Sequence, residues 1–346
     1  MGARRVLLVS DPGIVAVGHS GRARELLAEA GREVFLYGQV VENPTESSVE
    51  ACADFAREVA PDLIVGLGGG SSLDTAKGCL FLLSGGGRMA DYQGHDKARG
   101  EMLPFIAIPT TAGTGSECQS YAVLCRDDSH EKMACGDARA LARVAILDPE
   151  LTATMPLRVA RLTSLDALSH LLEAAVTTKR NETSASLVQA AARAVFPVIE
   201  AVVRGEADLA QRQAMLEGAA LAGRAIEASM LGAAHASANP LSASYGLAHG
   251  EAVLRTLPAV MRWNLGTPGV RAIYEGLLPG IFPQAEALIE RVEELRAMAD
   301  FQPLTLPADD IPRLAAAVAR QWTGQFNPRP LTESDFARLY TDISSS

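Results

Sequence analysis

The sequence predicts two domains of different class: an α/β domain on a parallel sheet over residues 1–155, then an all-helical domain over residues 156–346. Three observations predict it. Short apolar, β-branched runs alternate with helical stretches through the first third of the chain. Those runs are apolar throughout rather than every second residue, which fits a sheet covered on both faces. Beyond Pro156 convincing strand runs disappear, and Ala- and Leu-rich helical stretches replace them.

The elements follow in order. Residues 6–10 form an apolar run, stopped by Asp11-Pro12-Gly13. Residues 22–30 are helical in composition, with Gly31 as the stop, and residues 34–37 read as a second strand. Residues 48–59 place Val49, Cys52, Phe55, Ala56 and Val59 at helical spacing. Pro61-Asp62 leads into a third strand over 63–67, a glycine turn over 68–71, and a helix over 72–83. Residues 105–108 are the fourth strand, followed by Pro109. Asp148-Pro149-Glu150 punctuates the chain before the predicted helices over 160–178, 184–203, 209–228, 258–263, 285–299 and 311–321.

Composition narrows the function. Of 346 residues, 48% are hydrophobic and 21% charged, a globular balance that excludes disorder. The net charge of −10 argues against nucleic-acid binding through a broad basic face. No apolar stretch reaches the roughly 18 residues a membrane helix needs, so no membrane partner is expected. Five cysteines, an odd number with no C-x-x-C pair, fit a reducing cytoplasm better than a disulfide framework or a zinc ribbon.

Four features carry chemistry. The turn Gly68-Gly69-Gly70-Ser71 follows a strand and opens a helix, with Ser71 where a cap is expected. Three absent side chains let a ligand approach the main chain, and a helix start offers unpaired N–H groups to a phosphate or diphosphate. The spacing is neither a P-loop nor G-x-G-x-x-G. The loop Pro109-Thr110-Thr111-Ala112-Gly113-Thr114-Gly115-Ser116-Glu117 supplies hydroxyls after strand four, where open α/β sheets bind ligands. Asp11, past strand one, is either an Asp-Pro-Gly turn residue or an acceptor for a ribose diol that repels a 2′-phosphate. The last feature is a set of histidines. Asp166 and His170 stand four apart on a predicted helix and share a face. His235 and His249 would sit about 21 Å apart on one straight helix. Pro240, Gly246 and Gly250 argue that this segment is broken and folds back. One carboxylate and three imidazoles suit Fe²⁺ or Zn²⁺ better than Ca²⁺ or Mg²⁺, whereas scattered histidines are mostly ordinary core or surface residues.

With these motifs in their order, the chain resembles the iron-containing (group III) alcohol dehydrogenase family over nearly its whole length. The likeness includes Asn43-Pro44-Thr45, the glycine turn through Asp74, Ala76 and Lys77, the Thr110–Glu117 loop and Asp148-Pro149-Glu150-Leu151. It continues through Asp166-Ala167-Leu168-x-His170-x-x-Glu173, His235, His249-Gly250 and Asn327-Pro328-Arg329-Pro330. The resemblance implies a dinucleotide-binding α/β domain and an all-α metal-binding domain, a dehydroquinate synthase-like architecture with the active site in the cleft between them. It implies that Asp166, His170, His235 and His249 hold Fe²⁺, with Zn²⁺ as the alternative. It implies that Asp11, Asn43, Gly69, Gly70, Ser71, Asp74, Thr110, Thr111, Thr114 and Lys132 surround the cofactor, NAD rather than NADP because of Asp11. The implied activity is metal-assisted hydride transfer on a small alcohol or aldehyde, by a protein that a homodimer would suit.

Three departures stand out. Asn239 occupies the position of a family histidine assigned to proton relay, and an amide cannot relay by titrating. Gln119 stands where many relatives have a threonine, and the chain begins at strand one without the F-G-x-G hairpin that relatives carry before it. The alternatives are a reductase of a small anionic carbonyl compound (phosphonoacetaldehyde- or maleylacetate-like), an internal-redox NAD-dependent lyase, and a non-catalytic dinucleotide- or metal-binding protein. A lyase of that kind needs cations around a polyanion, and residues 164–175 and 232–250 contain no Lys or Arg.

Overall fold

The computed structural model describes residues 2–129 and 131–344. It divides into two compact units, Met1–Met155 and Pro156–Ser346.

The first unit runs β1 (Arg5–Val9), α1 (Pro12–Ala16), α2 (His19–Glu29), β2 (Glu33–Tyr37), α3 (Glu46–Val59), β3 (Leu63–Gly68), α4 (Gly70–Gly85), β4 (Gly94–His95), β5 (Phe105–Pro109), β6 (Tyr121–Cys125), β7 (Lys132–Gly136), β8 (Val144–Ala145) and α5 (Pro149–Thr152). Its main sheet has the order β2-β1-β3-β5-β8, and every pairing in it is parallel. The pleat sends alternate side chains to opposite faces. Leu7, Val9, Ile64 and Phe105 face a core completed by Val49 and Cys52 of α3 and Leu80 of α4. Val6, Leu8, Leu63, Val65 and Leu67 face the other way, toward Ala23 and Leu27 of α2 and Leu151 of α5. Two covered faces explain why the strands read as continuous apolar runs rather than alternating ones.

Two features of this unit differ from the sequence expectation. Asp11-Pro12-Gly13 does more than stop a strand: Asp11 caps α1 by accepting from Ile14 N at 3.0 Å, with Pro12 at a favoured first position. β6 and β7 form an antiparallel hairpin, extended by β4 into a second sheet of order β4-β7-β6, which the sequence did not reveal. β7, Lys132-Met133-Ala134-Cys135-Gly136, carries a weak apolar signal, and β6, Tyr121-Ala122-Val123-Leu124-Cys125, although apolar, becomes a hairpin arm only through its pairing with β7.

The second unit is helical: α6 (Leu157–Val176), α7 (Glu182–Val195), α8 (Ile199–Arg204), α9 (Leu209–Glu227), α10 (Ala233–Tyr245), α11 (His249–Asn264), α12 (Val270–Glu275), α13 (Ala285–Met298), α14 (Ile311–Ala319) and α15 (Glu333–Ser344). From Ser164 to Val176, α6 is buried on every side, as expected of a helix surrounded by others. The helix expected over 184–203 is two helices, because Pro197 falls in the gap between α7 and α8 and has no N–H to donate. Pro258, by contrast, lies inside α11. The cost of an interior proline, about 3 kcal/mol, is offset there by burial of Ala252, Val253, Leu254, Leu257, Val260 and Met261. Among the described residues, no helix is long and apolar enough to cross a membrane.

Candidate functional site

In the first unit, the residues singled out from the sequence gather at the carboxyl ends of three adjacent strands. Asp11 follows β1, Gly68 ends β3, and Thr110 follows β5, with its N–H donating to the Gly68 carbonyl at 3.0 Å. Gly68 has a φ of 151°, and a Cβ there would strike Ser72 and, at 2.9 Å, the Asp11 carboxylate. The two loops touch: a Cβ on Gly69 would lie 3.2 Å from Thr111 Cγ2, and one on Gly70 would lie 3.0 Å from Thr114 Cγ2. α4 opens at Gly70 with Gly69 as its N-cap residue and no side-chain cap. The expected cap by Ser71 is therefore corrected. Ser71 lies within the first turn, and its Oγ accepts from Asn43 N at 3.2 Å. An uncapped helix start leaves its positive end open to a diphosphate. Thr111 Oγ1, buried beside Gly69, has no hydrogen-bond partner, so a polar ligand group fits there.

Asp11 is engaged from two sides, capping α1 and accepting from Ser72 Oγ at 3.1 Å. Asp74 accepts from Ser116 Oγ at 2.6 Å and pairs with Lys77 Nζ at 3.1 Å. Lys77 is fully buried and donates to the carbonyls of Ser116, Gln119 and Tyr121, which pins the Thr-rich loop to α4. Its role was not read from the sequence, although it stands one turn past Asp74. Burial pushes the nearby Glu117 carboxyl up to about 7, against the attraction of Lys77. Lys132 is not on these loops. It sits on β7 opposite Cys125, whose N–H donates to the Pro44 carbonyl next to Asn43.

In the second unit, Asp166, His170 and Glu173 form one stripe along α6, at positions i, i+4 and i+7. The break between His235 and His249 comes at Gly246, in the left-handed region with φ 65°. Pro240 remains inside α10, so it is not the breaking residue that the sequence suggested. With α10 and α11 packed together, Thr256 Oγ1 donates to the Ala234 carbonyl at 3.2 Å. Gly250 lets α11 press on α6: a Cβ there would overlap the Leu162 carbonyl oxygen and lie 3.5 Å from Asp166 Cβ.

Ligand atoms of Asp166, His170 and His235 all lie within 4.8 Å of one another, and the three residues are buried. The rings of His170 and His235 stack at 4.9 Å between centroids, and the His249 ring is 5.4 Å from that of His235. Asp166 Oδ1 stands 3.7 Å from His170 Nε2 and 3.6 Å from His235 Nε2, both beyond hydrogen-bond length. Asp166 Oδ1 and His235 Nε2 are buried without a hydrogen-bond partner. Burial works against charge on Asp166, but the facing imidazoles hold its carboxyl well below the ordinary range. Burial likewise opposes charge on His235, yet Glu173 and Asp166 prevail and push its pKa up to about 9. The pocket thus attracts positive charge and gathers one carboxylate and two imidazoles around one spot, which fits a divalent cation that displaces the imidazole proton and takes mixed nitrogen and oxygen ligands. Asn239, one turn past His235, donates from Nδ2 to Gln321 Oε1 at 2.9 Å.

Comparison with known proteins agrees with this geometry. The family model "Iron-containing alcohol dehydrogenase" matches residues 1–149, and "Fe-containing alcohol dehydrogenase family, C-terminal" matches residues 160–344. The chain belongs to the iron-containing alcohol dehydrogenase family. It is 35% identical to the long-chain-alcohol dehydrogenase 1 of Geobacillus thermodenitrificans, covering 98% of this chain and 89% of that protein. It is 31% identical to the NAD-dependent methanol dehydrogenase of Bacillus methanolicus, covering 98% and 92%. The sulfoacetaldehyde reductase of Bifidobacterium kashiwanohense, solved with NAD⁺, superimposes with a TM-score of 0.90 at 28% identity, over 100% of this chain and 92% of that one. Membership makes the chain an oxidoreductase, an alcohol dehydrogenase or aldehyde reductase working with a nicotinamide cofactor and a metal.

Proposed function

We propose that the chain interconverts a small neutral aldehyde and its alcohol with NAD(H), using Fe²⁺, or Zn²⁺ in its place, held by Asp166, His170, His235 and His249. The observation that carries this reading is the pair of buried, unbonded ligand atoms, Asp166 Oδ1 and His235 Nε2, 3.6 Å apart. Leaving such groups without a partner costs roughly 1–3 kcal/mol each, a cost that a bound cation removes. A cation there supplies Lewis-acid polarisation of a carbonyl, and the nicotinamide supplies or takes the hydride.

The chain's own residues do the rest. The glycine turn and the open start of α4 receive the diphosphate, with Thr111 and Thr114 beside them. Asn43 and Lys132 stand on the neighbouring turn and strand as further cofactor contacts. Asp11 favours NADH by repelling a 2′-phosphate. Lys77 and Asp74 hold the Thr-rich loop in place. Asn239 stays neutral and holds Gln321, so proton exchange at the product oxygen falls to water. A neutral substrate fits the absence of Lys and Arg from residues 164–175 and 232–250. A second reading, an anionic aldehyde, is favoured by the similarity to sulfoacetaldehyde reductase. Cytoplasmic placement is supported by five cysteines that form no disulfide.

The test is His235→Ala. Metal analysis should show loss of bound metal, and NADH oxidation across neutral and anionic aldehydes should stop, while NADH binding by fluorescence titration stays near wild type. Full turnover in H235A refutes the assignment.

A further inference from the structure

We propose that Glu173 is a positioning residue for His235: it fixes the imidazole tautomer and orientation that present Nε2 to the metal, and so sets the cation affinity of the site. The inference rests on the ligand set of the preceding section. Glu173 is buried, and its Oε2 lies 2.6 Å from His235 Nδ1. An ionised carboxylate can only accept, so Nδ1 carries the proton of this bond. In the neutral ring the lone pair is then on Nε2, the atom that faces Asp166 Oδ1 at 3.6 Å.

The same carboxylate holds the backbone that carries the ring. α10 has Gly232 as its N-cap residue and no side-chain cap of its own. Three successive N–H groups at its start are instead bound from outside. Gly232 N donates to Glu173 Oε2 at 3.1 Å, Ala233 N to Asn327 Oδ1 at 3.3 Å, and Ala234 N to Glu173 Oε1 at 2.7 Å. A negative charge at a helix start is favourable in itself. A Cβ at Gly232 would come within 2.9 Å of Glu173 Oε1 and 3.1 Å of Asn327 Oδ1, so glycine is what allows this approach. One side chain on α6 therefore fixes both the place of His235 and the nitrogen it offers. Loss of such an outer partner typically costs about 10–100-fold in metal affinity.

The experiment measures Zn²⁺ affinity of the full chain by chelator competition, with thermal unfolding in parallel. Glu173→Gln keeps the shape but can turn an NH₂ toward Nδ1, which favours the tautomer protonated on Nε2. It should bind Zn²⁺ about 10–100-fold more weakly. Glu173→Asp fills the space less well but remains acceptor-only, and it should bind Zn²⁺ more tightly than E173Q. A packing role alone predicts the reverse order, and that order overturns the proposal. Wild-type affinity in E173Q, with affinity lost in H235A, overturns it while leaving the ligand set intact. Wild-type affinity in H235A overturns the ligand set instead, and the proposal with it. Should E173Q not fold, Gly232→Ala displaces the carboxylate without removing any charge. A Zn²⁺ affinity lowered about tenfold or more is then expected, and an unchanged one refutes the role.

Discussion

Gly250 is the residue whose replacement best tests how the proposed metal ligands are brought together. In Gly250→Ala, the new Cβ would sit about 1 Å inside the 3.4 Å at which ordinary contact with the Leu162 carbonyl oxygen begins. That oxygen belongs to the backbone of α6, so relief requires α6 and α11 to separate. Overpacking of this kind costs roughly 1–3 kcal/mol. For a unit of this size it corresponds to a fall in Tm of roughly 2–12 °C. The functional effect is sharper, because His249 is the neighbouring residue and ligand distances tolerate only about 0.2 Å. A displacement near 1 Å would take the proposed ligand His249 out of bonding range, and Zn²⁺ affinity should drop by at least about 10–100-fold. The assay is chelator competition with Zn²⁺, read beside a thermal melt. Gly246→Ala is the control. Its φ of 65° makes any side chain strained, yet nothing lies within 4 Å of the new Cβ. It should lower Tm by backbone strain of roughly 1–2 kcal/mol while metal affinity is retained. Wild-type Zn²⁺ affinity in G250A refutes the argument that close approach of α6 and α11 builds the site.

Two further outcomes follow from the first unit. Glu117 has its carboxyl raised from 4.5 to about 7 in the folded protein, so the native state binds that proton more tightly than the unfolded chain. Its contribution is present in full below about pH 4.5 and is lost as pH rises through 7, roughly 3 kcal/mol in all. Glu117→Gln, neutral throughout, should flatten this slope and be the more stable form at pH 8 in urea melts at pH 5 and 8. An unchanged slope contradicts the assignment. Asp11→Ala should narrow the preference for NADH over NADPH in kcat/KM by an order of ten, about 1.4 kcal/mol of like-charge repulsion. It should also cost about 1 kcal/mol of stability through the lost α1 cap. A cofactor preference identical in both proteins counts against a role for Asp11.

Much of the architecture was legible from local pattern. Strands β1, β2, β3 and β5 are short apolar runs bounded by Gly, Pro or Asp, and such signals need no tertiary information. The β6–β7 hairpin was not legible, because β7 begins at Lys132 and ends at Gly136 with a weak apolar signal, and only pairing with β7 makes the apolar β6 run one arm of a hairpin. The prolines show the same limit. Pro197 separates two helices, while Pro240 and Pro258 lie inside helices, and which outcome holds depends on packing rather than on proline itself. The role of Glu173 left a trace at position i+7 from Asp166, but its meaning depended on α10, whose start the periodicity did not mark.

The order of residues supplies the inventory: a glycine turn after a strand, a hydroxyl-rich loop after another, and one acid with three histidines spread over more than eighty positions. Spacing along a chain settles what shares a helix face or follows a strand, because both depend on neighbours a few residues away. Packing alone makes the two loops meet at Gly69 and Gly70, brings the His170 and His235 imidazoles of α6 and α10 within 4.8 Å of one buried carboxylate, and sets the His249 ring 5.4 Å from that of His235. Those contacts depend on how helices and strands pack against one another, and no local periodicity carries that distance.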